Sequence, residues 1–260
     1  MLKHRVIPIL SLDNYKLIKT RCFKNPQYIG DPINAIHIFN EKEVDEIIII
    51  DITASKENRE PNFDLIEEIA GECFMPLTYG GGIRSVEDVD KILSIGVEKV
   101  SLQSSVIKNP NFINDLAKRF GSQSIVVSVD VKKNWLGNLK YFVAAKDSTL
   151  ELDLIDLIKD LVNAGAGEVL LNAVDKDGTL SGPDLEMIKQ VSNSIEVPII
   201  ACGGMSSLED IKAAVEVGAS AVAAGSFFVY YGPHRAVLIS YPKYHELEQL
   251  FSYIKKNSNE

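Results

Sequence analysis

Short runs of apolar and β-branched residues recur along the chain, and a longer stretch of helical period follows each. The runs are RVIPIL (5–10), EIIIIDI (46–52), PLTY (76–79), KVSLQ (99–103), SIVVSVD (124–130), EVLLNAV (168–174), PIIAC (198–202) and SAVAA (220–224). They are nearly continuous in apolar character rather than alternating. Parallel strands covered on both faces show that pattern. Between them lie segments such as VEDVDKILSIG and LEDIKAAVEVG, with apolar positions three and four apart. Strand–helix alternation of this kind predicts right-handed βαβ units.

An internal repeat separates a closed barrel from an open sheet. Pro76–Val100 aligns without gaps on Pro198–Val222, so PLTYGGGIRSVEDVDKILSIGVEKV falls on PIIACGGMSSLEDIKAAVEVGASAV. Arg5–Ser11 pairs in the same way with Ser124–Asp130. Each half then carries four βα units, and two such halves close an eight-stranded barrel. The prediction is an α/β fold, a single (β/α)8 TIM barrel of two repeated half-barrels, with residues 1–260 as one domain. The stretch 131–150 reads as an insertion at one rim, and 229–260 as a C-terminal extension.

Composition narrows the class. The length of 260 residues is near the ~250 of a one-domain barrel. A net charge of −9 argues against nucleic acid or an anionic membrane surface as partner, since both need basic patches. Cys22, Cys73 and Cys202 are scattered and form no CxxC, which fits a reducing compartment. Cys202 reads as a small buried apolar side chain. The first residues lack the apolar core of a signal peptide, and no run approaches ~20 apolar residues. The expected location is the cytoplasm.

Candidate chemistry clusters where strands end. Gly80-Gly81-Gly82 follows the third strand and Gly203-Gly204 the seventh. Glycine lets backbone N–H groups approach an anion closely. The turns after the fourth and eighth strands, Gln103-Ser104-Ser105 and Gly225-Ser226, are placed to complete two symmetric anion sites. Ser85 and Ser207, each with an aspartate three residues on, read as helix caps. Asp177-Gly178-Thr179 follows strand six. Its amides suit the second site, whereas the Asp177 carboxylate repels phosphate and suits an orienting role. Asp130 and Asp51 end strands five and two and are candidate acids or bases. Position 11, the repeat counterpart of Asp130, is serine. Lys19, in a long loop after strand one, is a candidate cation for an anionic substrate. His234 and Arg235 read either as a cationic pair near the mouth or as a capping turn. Arg5, Glu46, Lys99 and Glu168 stand at strand starts and place alternating charges at the opposite end. They read either as a structural salt-bridge ring or as a gated entrance. No GxxxxGK[ST] loop, GxSxG elbow or metal-ligand histidine spacing is present, so neither cofactor nor metal is expected.

Together these residues resemble the cyclase subunit of imidazole glycerol phosphate synthase, the HisF family. The likeness covers roughly residues 1–228 and rests on IDITAS (50–55), YGGGIRS, FGSQSIVVSVDVK, GAGEVLLNAVDKDGT and the paired glycines. It implies a barrel that takes ammonia from a glutaminase docked on its amino-terminal face and uses it at the top on a substrate held by two phosphate sites. Carried over, the phosphate contacts fall on Gly82, Gln103 and Ser104, and on Asp177, Gly178, Gly204, Gly225 and Ser226. The ammonia gate falls on Arg5, Glu46, Lys99 and Glu168, and the catalytic positions on Asp130, Lys19 and Ser11. Ser11 stands where the family has a second aspartate, and Gln103 replaces an asparagine. The segment YYGPHRAVLISYP (230–242) departs from the cyclase tail and resembles a paralogous branch that supplies ammonia for acetamidino-sugar synthesis in surface glycans. That likeness implies a phosphorylated or nucleotide-sugar ligand and an ATP-using amidoligase as a further partner. The alternatives are a histidine-pathway cyclase and a non-catalytic scaffold that activates the glutaminase.

Overall fold

The computed structural model describes residues 4–257. Eight parallel strands form the centre: β1 (Arg5–Asp13), β2 (Ile47–Asp51), β3 (Leu77–Gly80), β4 (Lys99–Leu102), β5 (Ile125–Lys133), β6 (Glu168–Ala173), β7 (Ile199–Cys202) and β8 (Ala221–Ala224). Each pairs with the next, and β8 pairs back onto β1, so the sheet closes. The helices α1 (Pro32–Glu41), α2 (Phe63–Glu72), α3 (Val86–Ile95), α4 (Asn111–Phe120), α5 (Leu154–Asn163), α6 (Leu185–Ser192), α7 (Leu208–Glu216) and α8 (Tyr244–Asn257) follow the strands in turn. The chain is the (β/α)8 barrel that its repeat predicts.

The two-residue period of each strand sorts its side chains into two cores. Ile47 and Ile49 of β2 join the main core under the helices, while Ile48 joins a second cluster with Ile7, Val126, Leu170 and Ile200 inside the barrel. The near-continuous apolar runs arise from this double burial. Helix starts are set locally. Ser85 and Asp88 form a capping box, each side chain accepting from the other's N–H, and Ser207 accepts from the Asp210 N–H at 3.2 Å. Among the described residues no helix is long and apolar enough to cross a membrane.

Three segments depart from plain βα units. β1 runs on to Asp13 and folds back as Lys16–Arg21, which pairs with Lys24–Gly30. The long loop expected after strand one is therefore a three-stranded ribbon. β5 continues to Lys133 and returns as Leu139–Val143, so the segment at 131–150 begins as a hairpin. Tyr141 anchors that hairpin: it is fully buried and its hydroxyl donates to the Ser128 carbonyl at 3.1 Å. Trp135 and Leu136 are exposed at the tip. After β8, Tyr230–Tyr231 and Ala236–Val237 make a small ribbon, and α8 then packs on α7. The stretch read as an extension thus holds the helix of the eighth unit, whose Leu247 and Phe251 are buried in the main core. Burying each contributes about 1.5–3 kcal/mol.

Candidate functional site

Strand starts in a parallel barrel share one end, so charges placed there meet. Arg5 bonds Glu46 through one guanidinium nitrogen and Glu168 through the other. The Lys99 ammonium lies 3.2 Å from a carboxylate oxygen of Glu46 and 3.2 Å from one of Glu168. The four residues close a ring of alternating sign across the bottom of the bore. Both glutamates are buried, and each faces two cations. Pairing of that quality is what buried carboxylates need to offset desolvation. Thr78 donates a further hydrogen bond to Glu46 at 3.2 Å.

Above the ring the bore is apolar. At the carboxyl ends of the strands, above this packed apolar layer, lies a cavity of about 140 Å³, whose walls include Ser11, Lys19, Gly82, Gln103, Ser104, Asp130 and Asp177. Asp130 and Ser11 both reach this wall from strands on opposite sides of the closed sheet. The Ser101 hydroxyl also faces this space, buried and with no hydrogen-bond partner.

Asp130 is buried, and both its oxygens are engaged. Gln103 Nε2 donates to Oδ2 at 2.5 Å and Asn172 Nδ2 to Oδ1 at 3.0 Å. Burial pushes the carboxyl up to about 7, against the two amide donors, and the Asp177 charge acts in the same upward direction. Both protonation states are therefore populated near neutrality, the condition for moving a proton in either direction. Asp51 is otherwise occupied. Its Oδ1 accepts from the Thr53 N–H (3.0 Å), the Thr53 hydroxyl (2.9 Å) and the Ala54 N–H (2.9 Å), and Arg59 lies 3.4 Å from Oδ2. Asp51 closes the turn after β2, because a carboxylate beside successive free N–H groups binds them first.

The two glycine turns differ in what they leave free. At the first, the Gly82 N–H donates to the Ser55 hydroxyl at 3.3 Å, and the Gln103 amide is held by Asp130. Ser104 begins the short helix Ser104–Lys108 on the same wall. At the second, Asp177, Gly178, Gly204, Gly225 and Ser226 line one small pocket that shares Asp177 with the main cavity. Gly204 has φ +91, and a Cβ there would stand 2.2 Å from the Gly182 carbonyl, so no other residue fits. A Cβ at Gly225 would stand 2.6 Å from Lys19 Nζ. The absent side chain is what lets that ammonium reach the wall. Lys19 lies on the ribbon strand Lys16–Arg21, not in an open loop, and is buried 3.3 Å from Asp177 Oδ1. Asp177 also accepts from the Thr20 hydroxyl at 3.4 Å. Arg235 packs behind this pocket without lining it, with Nη2 2.8 Å from the carbonyl of the wall residue Gly178, whereas His234 is exposed. Cys202 lines both spaces, and burial pushes its thiol up to about 12.

Asn172, Thr20 and Tyr141 did not stand out in the sequence. Asn172 carried a readable signal. It is a polar residue inside the apolar run EVLLNAV, at even spacing from Glu168, and so belongs to the inward-facing set.

Residues 5–234 match the family model described as histidine biosynthesis protein. A Pseudomonas aeruginosa protein provisionally named imidazole glycerol phosphate synthase subunit hisF2 is 48% identical over 249 residues, covering 95% of this chain and 99% of its own. The chain belongs to the HisF family. A Vibrio vulnificus relative, provisionally named subunit hisF3, is 47% identical, covering 93% of this chain and 94% of its own. The Streptococcus mutans imidazole glycerol phosphate synthase subunit HisF is 41% identical over 88% of this chain and 92% of its own.

Proposed function

We propose that this HisF-family chain is the acceptor-side barrel of a glutamine amidotransferase. Ammonia released by a glutaminase on the amino-terminal face enters past Arg5, Glu46, Lys99 and Glu168 and travels up the bore to an anionic acceptor at the top. The observation that carries the reading is the alignment of three features on one axis: the closed charge ring, the apolar barrel interior and the cavity at the carboxyl ends flanked by the two glycine turns. An apolar bore favours neutral ammonia, because an unpaired ammonium there costs several kcal/mol. Displacing one long side chain, Lys99, would open the ring. At the top, Asp130 would exchange a proton with the attacking or departing nitrogen, and Lys19 with the second glycine turn would hold the acceptor's anionic group.

The acceptor we favour is an intermediate of acetamidino-sugar synthesis, with a separate ATP-using amidoligase activating it. Two observations support this over ring closure on a doubly phosphorylated substrate. Ser11 supplies a hydroxyl where the resemblance to the cyclases implies a second carboxylate, and general acid–base help is worth ~10²–10⁴ in rate. The first turn also has its Gly82 N–H and its Gln103 amide engaged by protein groups. The second reading, a histidine-pathway cyclase, is favoured by the raised Asp130 pKa and by relatives bearing the synthase name. Incubating the purified chain with the phosphoribulosyl aminoimidazole substrate and an ammonium salt separates the two. The sugar reading predicts no imidazole product above background, and product at an ordinary enzymatic rate, lost in Asp130→Asn, would establish the cyclase instead.

A further inference from the structure

The ribbon after β8 brings one side chain against two walls of the second pocket. The ribbon Tyr230–Tyr231/Ala236–Val237 turns at Gly232–Arg235, where the Arg235 N–H donates to the Gly232 carbonyl at 3.1 Å. Arg235 has φ +52, a left-handed conformation that is uncommon for a long side chain. Its guanidinium lies 4.7 Å from the Tyr230 ring centroid, and Nη2 lies 2.8 Å from the Gly178 carbonyl and 3.5 Å from Ser226 Oγ. Gly178 and Ser226 are both pocket walls.

Three features point beyond a loop staple. The Nε N–H of Arg235 is buried with no hydrogen-bond partner, a costly state for a charged donor unless something else fills it. Among the described residues no carboxylate pairs with this guanidinium. The nearby cation Lys19, which lines the adjoining main cavity, already faces Asp177. Lys19 and Asp177 offset each other, which leaves Arg235, behind the Gly178 and Ser226 walls, as the neighbouring cation without a carboxylate partner.

We propose that Arg235 is an anion-binding residue of the second pocket, where its planar fork takes the phosphoryl group of a phosphate ester or sugar nucleotide over the amides of Gly178 and Gly225. This rests on the reading that the second glycine turn grips an anion, and it adds the residue that sets affinity and selects a doubly charged group. A guanidinium fork matches phosphate oxygens in pairs, and Tyr230 behind it keeps the plane oriented.

Titrating inorganic phosphate into the full-length chain while following the backbone amides of Gly178, Gly204, Gly225 and Ser226 by NMR tests both levels. Arg235→Asn suits the left-handed backbone, and Arg235→Lys keeps the charge without the fork. Thermal melts show whether each variant is folded. Saturable shifts in the wild type, weakened about tenfold or more in Arg235→Asn and less in Arg235→Lys, would bear the proposal out. Equal phosphate binding by wild type and Arg235→Asn would overturn it and leave the pocket reading standing, including when the variant melts lower, as a mere staple would. Absence of phosphate-dependent shifts at these amides in the wild type would overturn the pocket reading and the proposal with it.

Discussion

Asp130 shows how far a single position is decided by neighbours that its own strand does not reveal. The sequence places a carboxylate at the end of a barrel strand; the fold adds burial and two amide donors, and the balance lifts its pKa to about 7. The consequence for stability has a definite sign. Between the ordinary carboxylate range and about 7, the folded chain holds a proton that the unfolded chain has lost. Stability therefore falls as pH rises through that window, and the loss is complete above about 7. In Asp130→Asn the melting temperature should decline less between pH 4.5 and 7 than in the wild type, and parallel profiles from thermal unfolding would contradict the buried, protonatable carboxyl. The same scale holds contacts that the strand ends did not show. Asp51 looked equivalent to Asp130, but the free N–H groups two and three residues on capture it. Gln103 was read as a phosphate contact, yet in the structure its amide faces Asp130. Strand spacing cannot show that a side chain meets a residue 27 positions away on the next strand.

Elements were legible wherever burial imposed a period. All eight barrel strands and the Ser85 and Ser207 caps could be read because doubly covered strands and capped helices leave strong local patterns. The ribbon Lys16–Gly30 was missed for the converse reason. Its second strand is largely exposed and polar, and contains Pro26, so neither alternation nor an apolar run announces it. The β5 hairpin divides in the same way between anchor and tip. Tyr141 is fully buried against Ser128, and Tyr141→Ala should cost about 3 kcal/mol or more in chemical denaturation. Trp135 is exposed, and Trp135→Ala should stay within about 0.5 kcal/mol of the wild type. Equal effects of the two would mean that the hairpin does not pack as described. α8 went unrecognised as a barrel helix because 230–242 interposes a ribbon between it and β8.

For the molecule as a whole, two repeated half-barrels generate an axis, and the charge ring, the apolar interior and the cavity lie along it. Alternating charges at strand starts were readable as a set, because parallel strands must bring their first residues to one end. Their closure into a ring of direct contacts needed the barrel's actual diameter. The two glycine turns were readable as a pair, while their inequality depended on Ser55, Lys19 and Arg235, which come from outside the repeat. Passage of ammonia through the bottom ring is the central claim, and coupling in the reconstituted complex with a glutaminase measures it most directly. The quantity is amidated acceptor formed per glutamine hydrolysed, for wild type and Lys99→Met, with added ammonium salt as the alternative nitrogen source. An internal passage predicts a ratio near one in the wild type that falls several-fold in Lys99→Met, while the ammonium-driven rate is retained; an unchanged ratio in the variant would contradict passage through the ring.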